Sequence, residues 1–311
     1  MKTRQSTTTP KHCCACLLAA VFSVLSISAA HAQIFVTGYN NTIGEYTLSG
    51  ATVNASLVSS GLDDPDGIAL SGSDLFVTDI ANGTVGEYTT SGATVNASLV
   101  TGLGNDEPQD VAVSGSDLFV ATGSVIGEYT TSGATVNASL ITGLDVPVGV
   151  VVVGSDLFVT NIGNNTLGEY TTLGATVNAS LVTGLSAPSG IAASGSNLFI
   201  VNNGNNTVGE YTTSGGTVNA SLISGLVSGA YGIAVNGSDL FVTDIGNDRV
   251  GEYTTSGATV NADLISGLDD PFGIAISAVP EPSTWVLLLV GLGLPAFWWL
   301  RKRSRRARHD V

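Results

Sequence analysis

The sequence predicts an all-β fold, a six-bladed β-propeller of four-stranded blades, on three observations. A Glu-Tyr pair recurs six times, at Glu45-Tyr46, Glu87-Tyr88, Glu128-Tyr129, Glu169-Tyr170, Glu210-Tyr211 and Glu252-Tyr253, in steps of 42, 41, 41, 41 and 42 residues. A fixed period in this range marks one supersecondary unit stacked on copies of itself. Each unit contains four short runs of β-branched and aromatic residues between Gly, Asn and Ser clusters, the pattern of antiparallel strands and hairpins. No segment between the two chain ends carries a long 3.6-residue periodicity, which leaves no place for helices in the body.

The unit that begins at Gly61 shows the elements in order. Gly67–Leu70 is the first strand, and Leu75–Thr78 follows a Ser-Gly-Ser turn. Thr84–Tyr88 comes after a loop with Asn82-Gly83, and Thr94–Leu99 after a Thr-Ser-Gly turn. Four strands in one such period, repeated six times, make a propeller. The ends of the array fit ring closure. Ile34-Phe35-Val36 is a second strand with no first strand before it, and Gly273-Ile274-Ala275-Ile276 is a first strand with nothing after it. The last strand is therefore expected to complete the first blade, removing a seam of unpaired backbone groups.

Three regions follow, residues 1–32, 33–278 and 279–311. The first reads as a signal peptide: Lys2, Arg4 and Lys11, an apolar run from Leu17 to Ile27, then Ala30-His31-Ala32 as an A-x-A cleavage pattern. Cys13, Cys14 and Cys16 all lie inside it, so residues 33–311 have no thiol, disulfide or cysteine metal site. The third region runs from Val279-Pro280-Glu281-Pro282-Ser283 into an apolar stretch, Thr284 to Leu300, and then to Arg301, Lys302, Arg303, Arg305, Arg306 and Arg308. The stretch is somewhat shorter than the ~20 residues of a full span, but basic side chains reach back to the interface, and the cluster should stay cytoplasmic as a stop and orientation signal.

Between these ends the body carries 23 acidic residues against Arg249 alone, a net charge of −22. That excludes nucleic acid and anionic membrane as partners of the body and suits cations, basic proteins or neutral sugars. The membrane enters only through the tail.

Strand alternation sorts the loops by face. The loops before each first strand and between second and third strands share one side, which collects most of the Asp and Asn residues. Asp63, Asp64 and Asp66, with Asp269 and Asp270, are the candidate ligands for a hard cation such as Ca2+, which takes several carboxylate and carbonyl oxygens. The opposite side has Asp74, Asp117, Asp156 and Asp239, read as caps of their own turns. With Arg249 the one basic residue of the body, at most one of the six Glu of the Glu-Tyr pairs can have an Arg partner, so the others must reach water or a hydroxyl or amide. The Gly before each Glu marks a bulge or a close approach, and each Tyr reads as a residue packed between blades.

The unit resembles the NHL repeat, through Gly61-Leu62, Pro65, Gly67-Ile68-Ala69, Leu75-Phe76-Val77, Asp79 and Tyr88. The resemblance covers about residues 34–277 and implies a propeller without specifying an activity. Gluconolactonase-like relatives of this fold hold a metal around the central channel. Part of that site corresponds here to Asp66, Gln109, Val148, Ser189, Tyr231 and Phe272, of which only Asp66 is a good ligand. Streptogramin-lyase-like propellers use a catalytic His, whereas His12, His31 and His309 all lie outside 33–278. No catalytic residue can therefore be named from the sequence. The tail, in its order Pro-Glu-Pro, apolar run and Arg cluster, closely resembles the PEP-CTERM sorting signal of Gram-negative bacteria. That resemblance implies an exosortase partner cutting near Pro280–Ser283 and delivery to the cell surface or exopolysaccharide matrix.

The reading that follows is an exported, exosortase-sorted propeller acting as a non-catalytic binding or structural component, with polysaccharide or a basic protein as the partner its charge suits. The alternative is a calcium-dependent hydrolase or lyase, lactonase-like, with its site on the acidic loop face. Near-identity of the blades favours the first, since an active site needs different residues in different blades.

Overall fold

A computed structural model describes residues 32–103, 107–227 and 229–277. Residues 1–31 of the signal segment, Asp106 and the sorting tail lie outside the described residues. Blade 1 contains β1 (Gln33–Gly38), β2 (Thr42–Thr47) and β3 (Thr52–Val58). Blade 2 is β4 (Pro65–Ser71), β5 (Asp74–Asp79), β6 (Thr84–Thr89) and β7 (Thr94–Val100). Blade 3 is β8 (Pro108–Ser114), β9 (Asp117–Thr122), β10 (Val125–Thr130) and β11 (Thr135–Thr142). Blade 4 is β12 (Pro147–Val153), β13 (Asp156–Asn161), β14 (Thr166–Thr171) and β15 (Thr176–Thr183). Blade 5 is β16 (Pro188–Ser194), β17 (Asn197–Asn202), β18 (Thr207–Thr212) and β19 (Thr217–Ile223). Blade 6 is β20 (Ala230–Asn236), β21 (Asp239–Asp244), β22 (Arg249–Thr254) and β23 (Thr259–Ser266), with a 3-10 turn at Ile245–Asn247. The last strand, β24 (Pro271–Ile276), pairs antiparallel with β1 and completes blade 1 in the order β24-β1-β2-β3. Ring closure is as the strand count anticipates, and the strands run a residue or two longer than the apolar runs that announce them.

The first strands touch one another around a closed circuit, from β4 through β8, β12, β16 and β20 to β24 and back to β4. They form the inner wall of the propeller, and the exposed fourth strands form its rim. The loops before first strands and between second and third strands make the upper face. The Ser-Gly-Ser and Thr-Ser-Gly turns make the lower one.

Stability comes from six apolar clusters, each at a junction between blades rather than within one. At the junction of blades 1 and 2, Phe35, Ile43 and Val58 meet Ile68, Leu75, Val77 and Tyr88. Pleating explains this: along Leu75-Phe76-Val77 the Leu and Val side chains face blade 1, while Phe76 joins Leu118 and Tyr129 of blade 3. Burial of each such side chain contributes roughly 1.5–3 kcal/mol. The Tyr of every Glu-Tyr pair is buried here.

The repeated phrase GEYTTSGATVNASL has a local reason at three of its positions. The ladder between third and fourth strands is irregular on both sides of the Glu, and the Tyr88 ring lies across Gly86, where a Cβ would stand 2.7 Å from a ring carbon. The Thr-Ser-Gly turn meets the neighbouring blade: Gly92, at φ +86, has the Leu57 carbonyl oxygen 2.5 Å from where its Cβ would be. Asn96 Oδ1 accepts the backbone N–H of Ser98 at 3.1 Å, and the same bond forms in all six fourth strands. This side-chain bond sits in a bulge, since Val85↔Val100 and Glu87↔Asn96 place four residues opposite two. A bulged rim strand whose own Asn occupies an N–H is a poor template for pairing with another chain.

Candidate functional site

Upper-face loops converge on the mouth of a channel lined by the first strands. Of the residues at the x of the P-x-G motif, Asp66, Gln109, Val148 and Tyr231 line it together with Asp110, and Phe272 packs against Tyr231. A second-strand threonine holds each wall strand to the next. Thr37 Oγ1 accepts from Gly273 N at 2.8 Å and donates to the Asp66 carbonyl at 2.6 Å. Thr78, Thr160 and Thr243 accept from Gly67, Gly149 and Gly232 and donate to the carbonyls of Gln109, Ser189 and Phe272. Blades 3 and 5 have Ala121 and Val201 where these threonines stand. Blade 3 compensates with Asp110, in the glycine position, whose carboxylate accepts from Val111 N at 2.9 Å and Val150 N at 3.0 Å. In blade 5, Ser189 Oγ donates to the Tyr231 carbonyl at 2.9 Å. All six junctions are thereby bridged, and two of the bridges come from residues whose role no single unit reveals.

The channel is plugged rather than open. Tyr231 and Phe272 meet edge to face, with ring centroids 5.5 Å apart. Tyr231 OH donates to Asp66 Oδ2 at 2.9 Å and lies 3.4 Å from Gln109 Oε1. Asp66 is 2% exposed and its Oδ1 has no hydrogen-bond partner. Burial pushes its carboxyl well above the usual carboxylate range; the Tyr231 hydrogen bond opposes this, while Asp110 and Asp64 add to it. Burial pushes Asp110 up to about 7, offset in part by its two backbone N–H donors. Burial, with the neighbouring Asp66 charge behind it, raises the Tyr231 phenol. The cavity volume is about 50 Å³. That admits a few waters or a small ion, each water needing roughly 10–15 Å³ on this measure, and falls far short of the ~300 Å³ of small organic ligand sites.

The five candidate cation ligands fall on three segments of the upper half. Asp66 belongs to the channel, whereas Asp63 and Asp64 lie on one upper loop and Asp269 and Asp270 on another. Their loops are occupied by structural bonds. Asp63 N donates to Asp79 Oδ2 at 2.8 Å, Asp64 N to Asn41 Oδ1 at 2.9 Å and Asp270 N to Asp248 Oδ1 at 3.2 Å. Asn165 and Asn206 pin Ala187 and Gly229 in the same way. Much of the oxygen on this face therefore stitches one blade's loop to the next. Among the described residues no three His, Cys, Asp or Glu side chains converge as a metal would require.

On the lower half, Asp74, Asp117 and Asp239 each accept from the Ser hydroxyl of their own turn, at 3.4, 3.4 and 3.5 Å, rather than from a backbone N–H. The carbonyls of Ser73, Ser116, Ser155 and Ser238 accept N–H groups from the neighbouring turn, at Thr90, Thr131, Thr172 and Thr255. Each Asp stands beside the Glu of its own blade. Burial first, and then Asp74, Asp117, Asp156 and Asp239 in turn, raises Glu87, Glu128, Glu169 and Glu252. Glu210 differs, accepting from Asn197 Nδ2 at 2.9 Å. Arg249 is bound to Asp244 at 2.9 Å and Asp263 at 2.6 Å, so it serves no Glu.

Residues 278–304 match the PEP-CTERM protein-sorting motif. No curated protein matches the chain. Among solved structures, a chain of the nidogen/laminin complex superposes with a TM-score of 0.66 at 16% identity, over 80% of this chain and 99% of that one. A streptogramin B lyase gives 0.59 at 21% identity, over 80% and 88% of the two chains. A catalytically inactive virginiamycin B lyase from Staphylococcus aureus, crystallised with quinupristin, gives 0.57 at 20%, over 81% and 94%. These likenesses establish the fold. The chain is an all-β six-bladed propeller carrying a C-terminal PEP-CTERM sorting motif, which implies export, membrane-anchored sorting and processing by exosortase.

Proposed function

We propose that the propeller is a non-catalytic binding or structural component of the cell surface or exopolysaccharide matrix. In this reading Ala30 and Ala32 mark signal cleavage, Val279–Ser283 is the processing site, and Arg301, Lys302 and Arg303 hold the tail until processing. The observation that carries the non-catalytic reading is the channel. The propeller's central site is crossed by its own Tyr231, which packs on Phe272, and leaves about 50 Å³. On the upper face the side chains of Asn41, Asp79, Asn165, Asn206 and Asp248 are taken up in holding loops together. What is left for a partner is a broad acidic and hydroxyl-rich surface, suited to neutral polysaccharide or a basic protein.

The test is binding by the exported protein. Host exopolysaccharide and a basic protein should be retained by it without turnover, the basic protein in a salt-sensitive way. One observation favours the hydrolase or lyase reading, the buried Asp66 and Asp110 carboxyls with raised pKa values in one cavity. Stoichiometric tightly bound calcium, lost with a measurable lactonase or lyase activity in Asp66→Ala, would replace the binding reading with that one.

A further inference from the structure

We propose that, while the sorting tail is in the membrane, the propeller lies flat with its lower face against the lipid surface and its channel mouth turned outward. The inference rests on the sorting reading above and goes beyond it. Its basis is where the chain leaves the ring. β24 runs from the upper face at Pro271 to the lower face at Ile276, and the last described residue, Ser277, is pinned there. Ser277 N donates to the Gln33 carbonyl at 2.9 Å, and Gln33 N donates to Ser277 Oγ at 2.8 Å. Both attachment points, for the N-terminal and the C-terminal segments, thus leave the same face at the same seam. Because β24 is the innermost strand of blade 1, the exit lies beside the channel axis rather than at the rim.

The tether is short. Six residues, 278–283, separate Ser277 from the apolar run that begins at Thr284. The seven Cα steps from Ser277 to Thr284 span at most about 25 Å. Presenting the upper face to the bilayer would require the tether to run out past four strands, about 15 Å between inner and outer, and then along a strand length of about 20 Å. That path exceeds the tether. Standing edge-on would consume about 15 Å of it, the inner-to-outer width alone. Flat, lower face down, is the arrangement that leaves the most slack.

The lower half carries Asp74, Asp117, Asp156 and Asp239 beside Glu87, Glu128, Glu169 and Glu252. The one basic side chain of the body, Arg249, begins β22 at the opposite end of its strand. An acidic face has no attraction for anionic lipid, so the tail alone holds it there, and processing frees it.

Residues 33–311 contain no cysteine, so once the signal segment with Cys13, Cys14 and Cys16 is removed each variant carries a single cysteine and reports directly. Tyr39→Cys marks the upper face at a residue 59% exposed; Ser116→Cys and Leu173→Cys mark the lower, the latter at a residue 89% exposed. The three are expressed in an exosortase-deficient host and labelled in spheroplasts with a bulky membrane-impermeant maleimide. Each rate is referred to the same protein in detergent, which removes differences in intrinsic reactivity. The expected result is an unchanged rate for Tyr39→Cys and a several-fold slower rate for both lower-face variants. Equal rates at all three sites, or protection of Tyr39→Cys, in protein that fractionates with the membrane would overturn the orientation and leave the sorting reading standing. Failure of the unprocessed chain to fractionate with the membrane would overturn both.

Discussion

Asp110 stands where the other five blades have glycine, and Ala121, in the next strand, stands where four have threonine. The two departures read as one exchange, a carboxylate in place of a hydroxyl bridge. Asp110→Gly alone leaves Val150 N without its 3.0 Å acceptor, which should cost about 1–3 kcal/mol. The double change Asp110→Gly with Ala121→Thr rebuilds the bridge of the neighbouring blades and should recover most of that loss, measured as a coupling energy in a double-mutant cycle by urea unfolding. Additive effects would break the argument. The same carboxylate gives a pH dependence. Its folded value is about 7, against roughly 3.9 in the unfolded chain. The folded state therefore holds the proton more tightly, and the stability this group permits is full below about pH 4 and declines as pH rises through about 7. The full gap corresponds to about 4 kcal/mol as an upper bound. Asp66 shifts in the same direction for the same first cause. Urea midpoints should fall from pH 5 to pH 8, and Asp66→Asn, which keeps an acceptor for Tyr231 and removes the charge, should flatten that fall. A midpoint that rises over this range would contradict the assignment.

Strands, turns and ring closure were legible because each follows from spacing within one unit: β-branched runs, Gly-containing turns and a count of strand types. The channel bridges were not legible, because they join neighbouring blades and are visible only when Thr37, Thr78, Thr160 and Thr243 are seen against Ala121 and Val201 on one wall. The Asn of TVNASL was not legible as the acceptor inside a bulge, since the bulge depends on register with the Glu strand. The turn glycines show how far local and tertiary causes separate. Gly72, at φ +62, has open space around its missing Cβ, whereas Gly92, at φ +86, has the Leu57 carbonyl there. Gly72→Ala should cost only the left-handed backbone penalty, about 1–2 kcal/mol. Gly92→Ala pays that penalty and must also push blade 1 aside, so its thermal midpoint should fall distinctly further. Equal losses would mean that the turn does not define the spacing of blades 1 and 2. On the rim, Asn96→Ala, Asn137→Ala and Asn178→Ala together free three strand donors. Each costs little in an exposed strand, but the triple variant should sediment as larger species at concentrations where the parent does not.

At the scale of the whole molecule, everything depends on one strand. Five blades are continuous in sequence, and blade 1 is assembled from the two ends of the array, β1–β3 and β24. β24 supplies the innermost strand of that blade and contacts both β20 and β4. Its Ile274 and Ala275 enter the clusters on either side, with Phe241 and Tyr46 in one and with Phe35 and Ile68 in the other. Thr37 waits on it as well, accepting from Gly273 N. A chain ended before Pro271 would leave β1 with an open edge, two half-exposed apolar clusters and a broken wall, in a body whose −22 charge works against compaction. A chain ended after Ser277 would lose none of these contacts. Residues 33–277 should therefore unfold in one cooperative transition, while 33–270 should be recovered aggregated or with much reduced cooperativity. Adding a synthetic peptide of residues 269–277 should restore solubility to the shorter chain by strand complementation. A 33–270 protein as stable as 33–277 would show that the ring does not need its closing strand, and would also remove the reason for the sorting motif to begin where the strand ends.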